Sequence, residues 1–225
     1  MTEMRMAELA RRSGLTVPTI KYYLREGLLQ PGRRTSVNQA AYDASHLERL
    51  RLIRALAKVA GLPLGKIREV VQAVSSESSM LDAMAVTQDA LVGEVETDPA
   101  DTAASKLLTQ VIEARGWQCQ PGSPAHAAAI RAVAELQAEE LTMLTDRLDD
   151  YARTADDIGR IDVQAVGGAE NLDTMIRGVV LGSILRRPLL DALVLLAQQH
   201  HARTLTDATA ASEKTTAGLP TRCAC

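Results

Sequence analysis

Three sets of residues in this 225-residue chain carry enough charge or donor character to do chemistry. The first is sulfur and imidazole. Cys119 stands alone, while Cys223 and Cys225 are separated by one alanine, and a transition-metal site built on thiolates needs ligands at paired spacing. Three thiolates converge only if the last segment folds back onto Cys119. Free thiols are the simpler reading, and no metal or cofactor is expected; a thiol-based metal or redox sensor using Cys119, Cys223 and Cys225 is the alternative. His46 and His126 have no partner at ligand spacing, and His200-His201 closes an apolar run, where cations suit the end of a helix dipole. The second set is carboxylate. Asp149-Asp150 and Asp156-Asp157 fall on the polar side of a long amphipathic pattern and read as a solvated face. No nucleophile elbow, zinc-protease helix, phosphate-binding glycine loop or dinucleotide glycine pattern occurs, so no enzyme is expected. The third set is basic. Residues 1–80 hold 13 Lys and Arg against 7 Asp and Glu, whereas residues 81–225 hold 12 against 21. A basic first third on an acidic remainder points either to one module that meets nucleic acid or to solvated helix faces.

The elements that must position these residues are helical. There is no Phe, one Trp (Trp117) and four Tyr, so the core is aliphatic, and Ala, Leu and Met favour helix over strand. Rings are too few for a stacking platform on single-stranded nucleic acid. Met6, Leu9 and Ala10 share one helical face against Glu8, Arg11 and Arg12. Gly14 sits where a left-handed cap ends a helix. Thr16 occupies an N-cap position with Pro18 in the first turn, so a second helix runs from about Val17 to Glu26 and buries Ile20 and Leu24. Two short helices around a glycine-containing turn form a helix-turn-helix. Residues 30–42 carry turn chemistry at Pro31-Gly32 and suit a loop or small hairpin. A third helix follows with Leu47, Leu50, Ile53 (or Arg54) and Leu56. A fourth, opened by Pro63, carries Ile67, Val70 and Val71. The serine-rich run at 75–79 marks a module boundary.

Beyond it, Leu81, Met84, Gln88, Leu91 and Val95 form a short seam, and a helix around Leu108 and Val111 closes at Gly116. From Pro124 to Ile158 apolar residues recur with 4-3 alternation, which predicts one helix about 50 Å long. After Gly167-Gly168 one helix carries Met175, Ile176, Val179 and Val180. Another opens at Pro188 and carries Leu189, Leu193 and Leu196. From Thr206 the pattern ends, and a disordered tail over 206–225 is expected. The N-terminus lacks the apolar core of a signal peptide, and the most apolar stretch contains Arg186, Arg187, Pro188 and Asp191. A cytoplasmic protein with no membrane contact is expected.

Met6-Ala-Glu-Leu-Ala, Leu15-Thr-Val-Pro-Thr-Ile-Lys-Tyr-Tyr, Glu26-Gly-Leu-Leu, Arg33-Arg34, Tyr42 and Leu47-Glu-Arg-Leu with Ile53 follow one another in the order and spacing of the MerR family of bacterial transcription regulators. The first 74 residues therefore resemble that family. The resemblance implies a mainly α protein: an N-terminal winged helix-turn-helix at 1–74, then an all-helical dimerisation and effector domain at 78–205. Its second helix would lie in the major groove and its hairpin wing on the flanking backbone. The DNA-binding residues so implied are Thr16, Pro18, Thr19, Lys21, Tyr22, Arg25, Arg33, Arg34, Thr35, Asn38 and Tyr42. Tyr22 is the phosphate donor of the tyrosine pair, because Tyr23 shares a face with Ile20. Arg25 is open between contact and solvated surface. Two departures stand out: Pro18 replaces a common arginine and cannot donate to a base, and Asn38-Gln39-Ala40 replaces the wing's usual Gly-Tyr-Arg.

The resemblance further implies a homodimer on two-fold-related promoter DNA. RNA polymerase would be affected indirectly, through bending and untwisting of the promoter when an effector binds. Two stripes compete for the dimer seam, 81–95 and 130–158. The second has the stronger pattern and nominates Leu141, Leu144, Leu148 and Tyr151, although an internal core helix is the equal alternative. With only Trp117 and Tyr151 outside the basic module, an aromatic cage for organic cations is disfavoured, which leaves an apolar small-molecule effector. The rival from another class is a protein-interaction module whose basic third binds an acidic partner.

Overall fold

Short helices need caps to begin and end, and Gly14 and Thr16 supply two of them for the first pair of helices. The structure, a computed structural model, describes residues 3–36, 39–76, 79–93, 95–96 and 101–216, with side chains through residue 204. Asn38, Cys223, Cys225 and the last part of the expected tail lie outside the described residues. Helix α1 (Met6–Ser13) ends on Gly14 at φ 69°. A side chain there would also collide with the Arg54 guanidinium, which donates to the Ser13 carbonyl at 3.1 Å. Helix α2 (Val17–Arg25) starts from Thr16, whose hydroxyl accepts from the Thr19 amide at 3.3 Å, with Pro18 in the first turn. Strands β1 (Arg33–Ser36) and β2 (Gln39–Ala41) pair antiparallel, Arg34 opposite Ala40 and Arg33 opposite Ala41. The hairpin is extended by Met4, which exchanges backbone hydrogen bonds of 2.7 and 2.9 Å with Tyr42.

Helix α3 (Ala44–Arg54) continues into a π-helical turn at Ala55–Val59, and α4 (Leu64–Ser75) follows. Asp43 caps α3: its carboxylate accepts from the Ser45 and His46 amides, while the Asp43 amide meets His46 Nδ1. Leu9, Ile20, Leu28, Leu29, Leu50, Ile53, Leu56 and Val70 are buried together as an aliphatic core. Ile53 is buried and Arg54 exposed, which decides the register of the α3 stripe. Gly32 lets the chain entering the wing lie against the module. A Cβ there would sit 2.6 Å from the Ala41 carbonyl and 2.7 Å from the Tyr42 ring.

Six further helices follow: α5 (Met80–Val92), α6 (Thr102–Arg115), α7 (Pro124–Ala138), α8 (Thr142–Thr145), α9 (Leu148–Val166) and α10 (Leu172–Thr216). The described residues divide into two compact units, Met1–Gly182 and Ser183–Cys225. Helix α5 packs on α4 across the expected module boundary. It buries Ala83, Thr87 and Ala90 rather than the Leu81 series, and Leu81 is 72% exposed.

Three expectations are corrected. The single helix over 124–158 is broken: Glu140 adopts φ 56°, and α7, α8 and α9 replace it. The reason is packing. Ile130 and Val133 join Ala104 and Leu108 in one cluster, and Leu148 packs against the same cluster. In a continuous helix Ile130 and Leu148 would be about 27 Å apart, so the chain turns back to bring both to it. That gain outweighs a left-handed non-glycine residue, which costs about 1–2 kcal/mol. Second, Pro188 lies inside α10 rather than opening a new helix. Proline forfeits one backbone bond and costs about 3 kcal/mol, yet helix-favouring leucines on both sides carry the helix through. Third, α10 extends to Thr216, beyond the expected onset of disorder at 206. Ala208, Ala210 and Ala211 supply high helix propensity there.

Candidate nucleic-acid interface

The basic residues gather where α2, the wing and the start of α1 meet. A cleft of about 580 Å³ opens there, lined by Arg5, Lys21, Arg34, Gln39 and Tyr42 among others. Lys21 and Arg34 are exposed, and among the described residues no carboxylate pairs with either. Their separation in the chain is closed by the β1–β2 hairpin, which turns Arg34 toward the second turn of α2. Arg5, immediately before α1, was missed by the sequence reading. Only the position of its helix end, beside the wing, reveals it. Gln39 was noted only as a departure from the family's wing, and it too lines the cleft.

The other candidates take distinct places. Thr16 spends its hydroxyl on the cap of α2 and shares a 2.8 Å hydrogen bond with the Thr19 hydroxyl. Pro18 is exposed on the first turn of α2, and Thr35 is exposed on β1. Arg25 stacks its guanidinium over the Tyr22 ring, 5.5 Å from the centroid, a contact that orients both on one face of the helix. Tyr22 is half-buried, and Tyr23 belongs to the core as expected, with its phenol pKa raised by burial first and by Tyr22 second. Tyr42 is 5% exposed and stands edge-on to His46 with centroids 5.2 Å apart. Burial raises its pKa as well, and it forms the floor of the cleft rather than an exposed contact.

Arg33 is already engaged. Its guanidinium pairs with the Glu3 carboxylate at 2.5 Å, so one of the two wing arginines is neutralised in place. Asp43 at the base of α3 is held well below the usual carboxylate range, chiefly by the Ser45 hydroxyl and then by His46. Behind the interface, Arg49 on α3 ties three elements together. It donates to Asp173 at 2.5 and 3.3 Å and to the Ser75 hydroxyl at 2.7 Å, and it reaches the Val71 carbonyl at 3.4 Å. Both partners of the Arg49–Asp173 pair are largely buried. This pair was invisible in sequence, since 124 residues separate its ends.

The remaining candidates lie elsewhere. Leu148 packs on the α6–α7 cluster, Leu144 is half-buried, and Leu141 and Tyr151 are exposed on separate elements, Leu141 between α7 and α8 and Tyr151 on α9. The acidic pairs are not merely solvated. Arg115 donates to Asp149 at 2.9 Å, and the Trp117 indole donates to Asp156 at 2.7 Å, joining the end of α6 to α9. Cys119 is exposed, and among the described residues no group of three His, Cys, Asp or Glu could hold a metal ion. No helix among them is long and apolar enough to cross a membrane.

Comparisons with known proteins agree with this geometry. The MerR helix-turn-helix family model matches residues 4–74. The HTH-type transcriptional regulator ZntR homologue of Haemophilus influenzae is 46% identical over 50 residues, 22% of this chain and 37% of its own length. The HTH-type transcriptional regulator CueR of Yersinia pestis is 34% identical over 68 residues, 30% of this chain and 48% of its own. The chain thus spans less than half the length of these two relatives. The crystal structure of a candidate transcriptional regulator from Streptomyces coelicolor A3(2) extends the likeness past the basic module. It is 33% identical with a TM-score of 0.69, covering 88% of this chain and 96% of that one. A wing, a capped second helix and a family motif that coincide over the same seventy residues leave one assignment: residues 4–74 are a MerR-family helix-turn-helix domain, in a chain that is similar over most of its length to a transcriptional regulator.

Proposed function

We propose that this regulator binds promoter DNA sequence-specifically as a homodimer in the cytoplasm. The observation that carries the reading is the cleft between α2 and the wing, where Arg5, Lys21 and Arg34 converge and, among the described residues, none of them pairs with a carboxylate. Cations so placed straddle a phosphate backbone, while the start of α2, with exposed Lys21 and half-buried Thr19, meets base edges. Pro18 contributes shape rather than a hydrogen bond. Tyr22, Arg25 and Thr35 stand beside the same surface and supply further backbone contacts. The protein acts on RNA polymerase indirectly, through the shape of the promoter, and has no catalytic role. Control by a mostly apolar small molecule in the helical remainder belongs to the same reading, on the aliphatic, ring-poor makeup of that part.

The test is selection of bound sites from fragmented genomic DNA by the purified protein at physiological salt. The reading expects one inverted repeat within a promoter and a steep loss of affinity with salt. A folded protein that enriches no sequence, and instead binds an acidic protein, would replace it with the interaction-module reading.

A further inference from the structure

A second cavity lies behind the cleft, where α3 meets the first turn of α10. It measures about 200 Å³ and is lined by Leu29, Gln30, Ser45, His46, Arg49 and Asp173, all within the unit Met1–Gly182. Tyr42, the floor of the cleft, stands edge-on to His46, so the two cavities share a wall. The volume is that of about seven water molecules, enough for a small metabolite. Every lining side chain except Leu29 is polar, and the formal charges cancel, one guanidinium against one carboxylate.

These groups are only partly used. Arg49 has several N–H groups: Nε and Nη2 donate to Asp173, and Nη1 donates to Ser75 and Val71. The second Nη2 hydrogen has no acceptor among the described residues. Asp173 receives Arg49 alone among them, so about half of its acceptor positions stay open. His46 supplies a third open group. Its Nδ1 lies 2.8 Å from Asp43 Oδ1. Asp43 is held ionised by its depressed pKa and can only accept, so the proton of that contact belongs to Nδ1. In the neutral ring Nε2 is then a bare acceptor, and it is buried with no hydrogen-bond partner among the described residues. Buried polar atoms are rarely left unmatched. The cavity therefore sets open acceptors on Asp173 and His46 beside an open donor on Arg49, with the exposed Gln30 carboxamide at its rim.

We propose that this cavity binds a small zwitterion of the class of the free α-amino acids, with its carboxylate on Arg49 and Gln30 and its ammonium on Asp173 and toward His46. Charge selects the class. A simple anion drawn to Arg49 meets Asp173 beside it, and a simple cation drawn to Asp173 meets Arg49. At equal distance each repulsion is as strong as the attraction. A molecule that carries both signs turns both into attractions. The site is separate from the apolar effector of the helical remainder, and it stands whether or not the chain binds DNA.

Isothermal titration of the full chain tests the proposal, with the standard L-amino acids as probes and acetate and methylamine as single-charge controls. At least one amino acid is expected to bind saturably, about 10-fold or more tighter than either control, because each control forfeits a charged contact. Side-chain NMR locates the site: the His46 ring resonances should shift on titration while those of His126, His200 and His201 stay in place. Gln30→Leu alters a surface side chain and is expected to weaken binding about 5-fold, the loss of one hydrogen bond, with helical content unchanged. Asp173→Asn keeps the side chain's shape without its charge and is expected to cost about 10-fold or more; should it unfold, Gln30→Leu decides. Acetate or methylamine that binds as tightly as any amino acid overturns the zwitterion assignment. Binding that leaves the His46 resonances unmoved, or that Gln30→Leu does not weaken, overturns the location. The absence of saturable binding by any probe overturns the proposal as a whole.

Discussion

Arg33 and Arg34 are adjacent in sequence and equal in charge, yet they should contribute unequally to DNA binding. Arg34 lines the cleft and pairs with no carboxylate among the described residues, so Arg34→Ala removes a full phosphate contact from each copy. The slope of log affinity against log salt should fall in magnitude by about 0.9 per copy, or about 1.8 for a dimer. Arg33 must first leave Glu3, 2.5 Å away in an exposed pair whose side chains are 66% and 51% accessible. Such a pair is worth about 0–1 kcal/mol, so its presence discounts the contact by up to about fivefold per copy. Glu3→Gln should therefore tighten binding by up to about that factor and steepen the salt slope. Arg33→Ala should cost more in the Glu3→Gln background than in the wild type. The assay is fluorescence anisotropy on the selected operator, with all four members of the cycle measured between about 50 and 200 mM salt, where such contacts dominate. If Arg33→Ala and Arg34→Ala lower the slope equally, and Glu3→Gln leaves affinity unchanged, the assignment of distinct roles to the two arginines is refuted.

Three other outcomes follow from the packing. Asp173→Ala leaves the buried Arg49 guanidinium short of its carboxylate and should lower stability by about 1.5–3 kcal/mol. Chemical denaturation reads this, and the double variant with Arg49→Met should cost less than the sum of the two singles. Gly32→Ala places a Cβ against the Ala41 carbonyl and the Tyr42 ring, so it should lower operator affinity and quicken proteolysis at the wing while helical content is unchanged; normal affinity would show that the wing can shift. Asp43 has a depressed folded-state pKa, so its cap stabilises α3 above the unfolded value near 3.9 and is lost as pH falls below it. Thermal unfolding across about pH 2 to 6 should show that loss, and Asp43→Ala should cost about 0.5–2 kcal/mol at neutral pH and flatten the acid limb.

What the sequence determined by itself was local. Thr16, Asp43 and Ser123 begin helices because a short polar side chain can accept the first free amides, and Gly14 ends one because only glycine takes the left-handed cap freely. The order of motifs through residue 74 named the family, since it samples caps, turns and buried positions of one small module together. What only tertiary structure decided was which surfaces meet. The 130–158 alternation suits a continuous helix and equally suits two helices folded onto one cluster, and the core around Leu108 and Val133 chose the second. Proline at 188 signals a helix start, yet α10 runs through it. Glu3 neutralises Arg33, Arg5 joins Lys21 and Arg34, and Arg49 finds Asp173, all through contacts between distant parts of the chain. Periodicity reports that a face is apolar. It carries no information on whether the partner that covers it lies in the same chain, because burial depends on apolar area removed from water and not on whose area covers it.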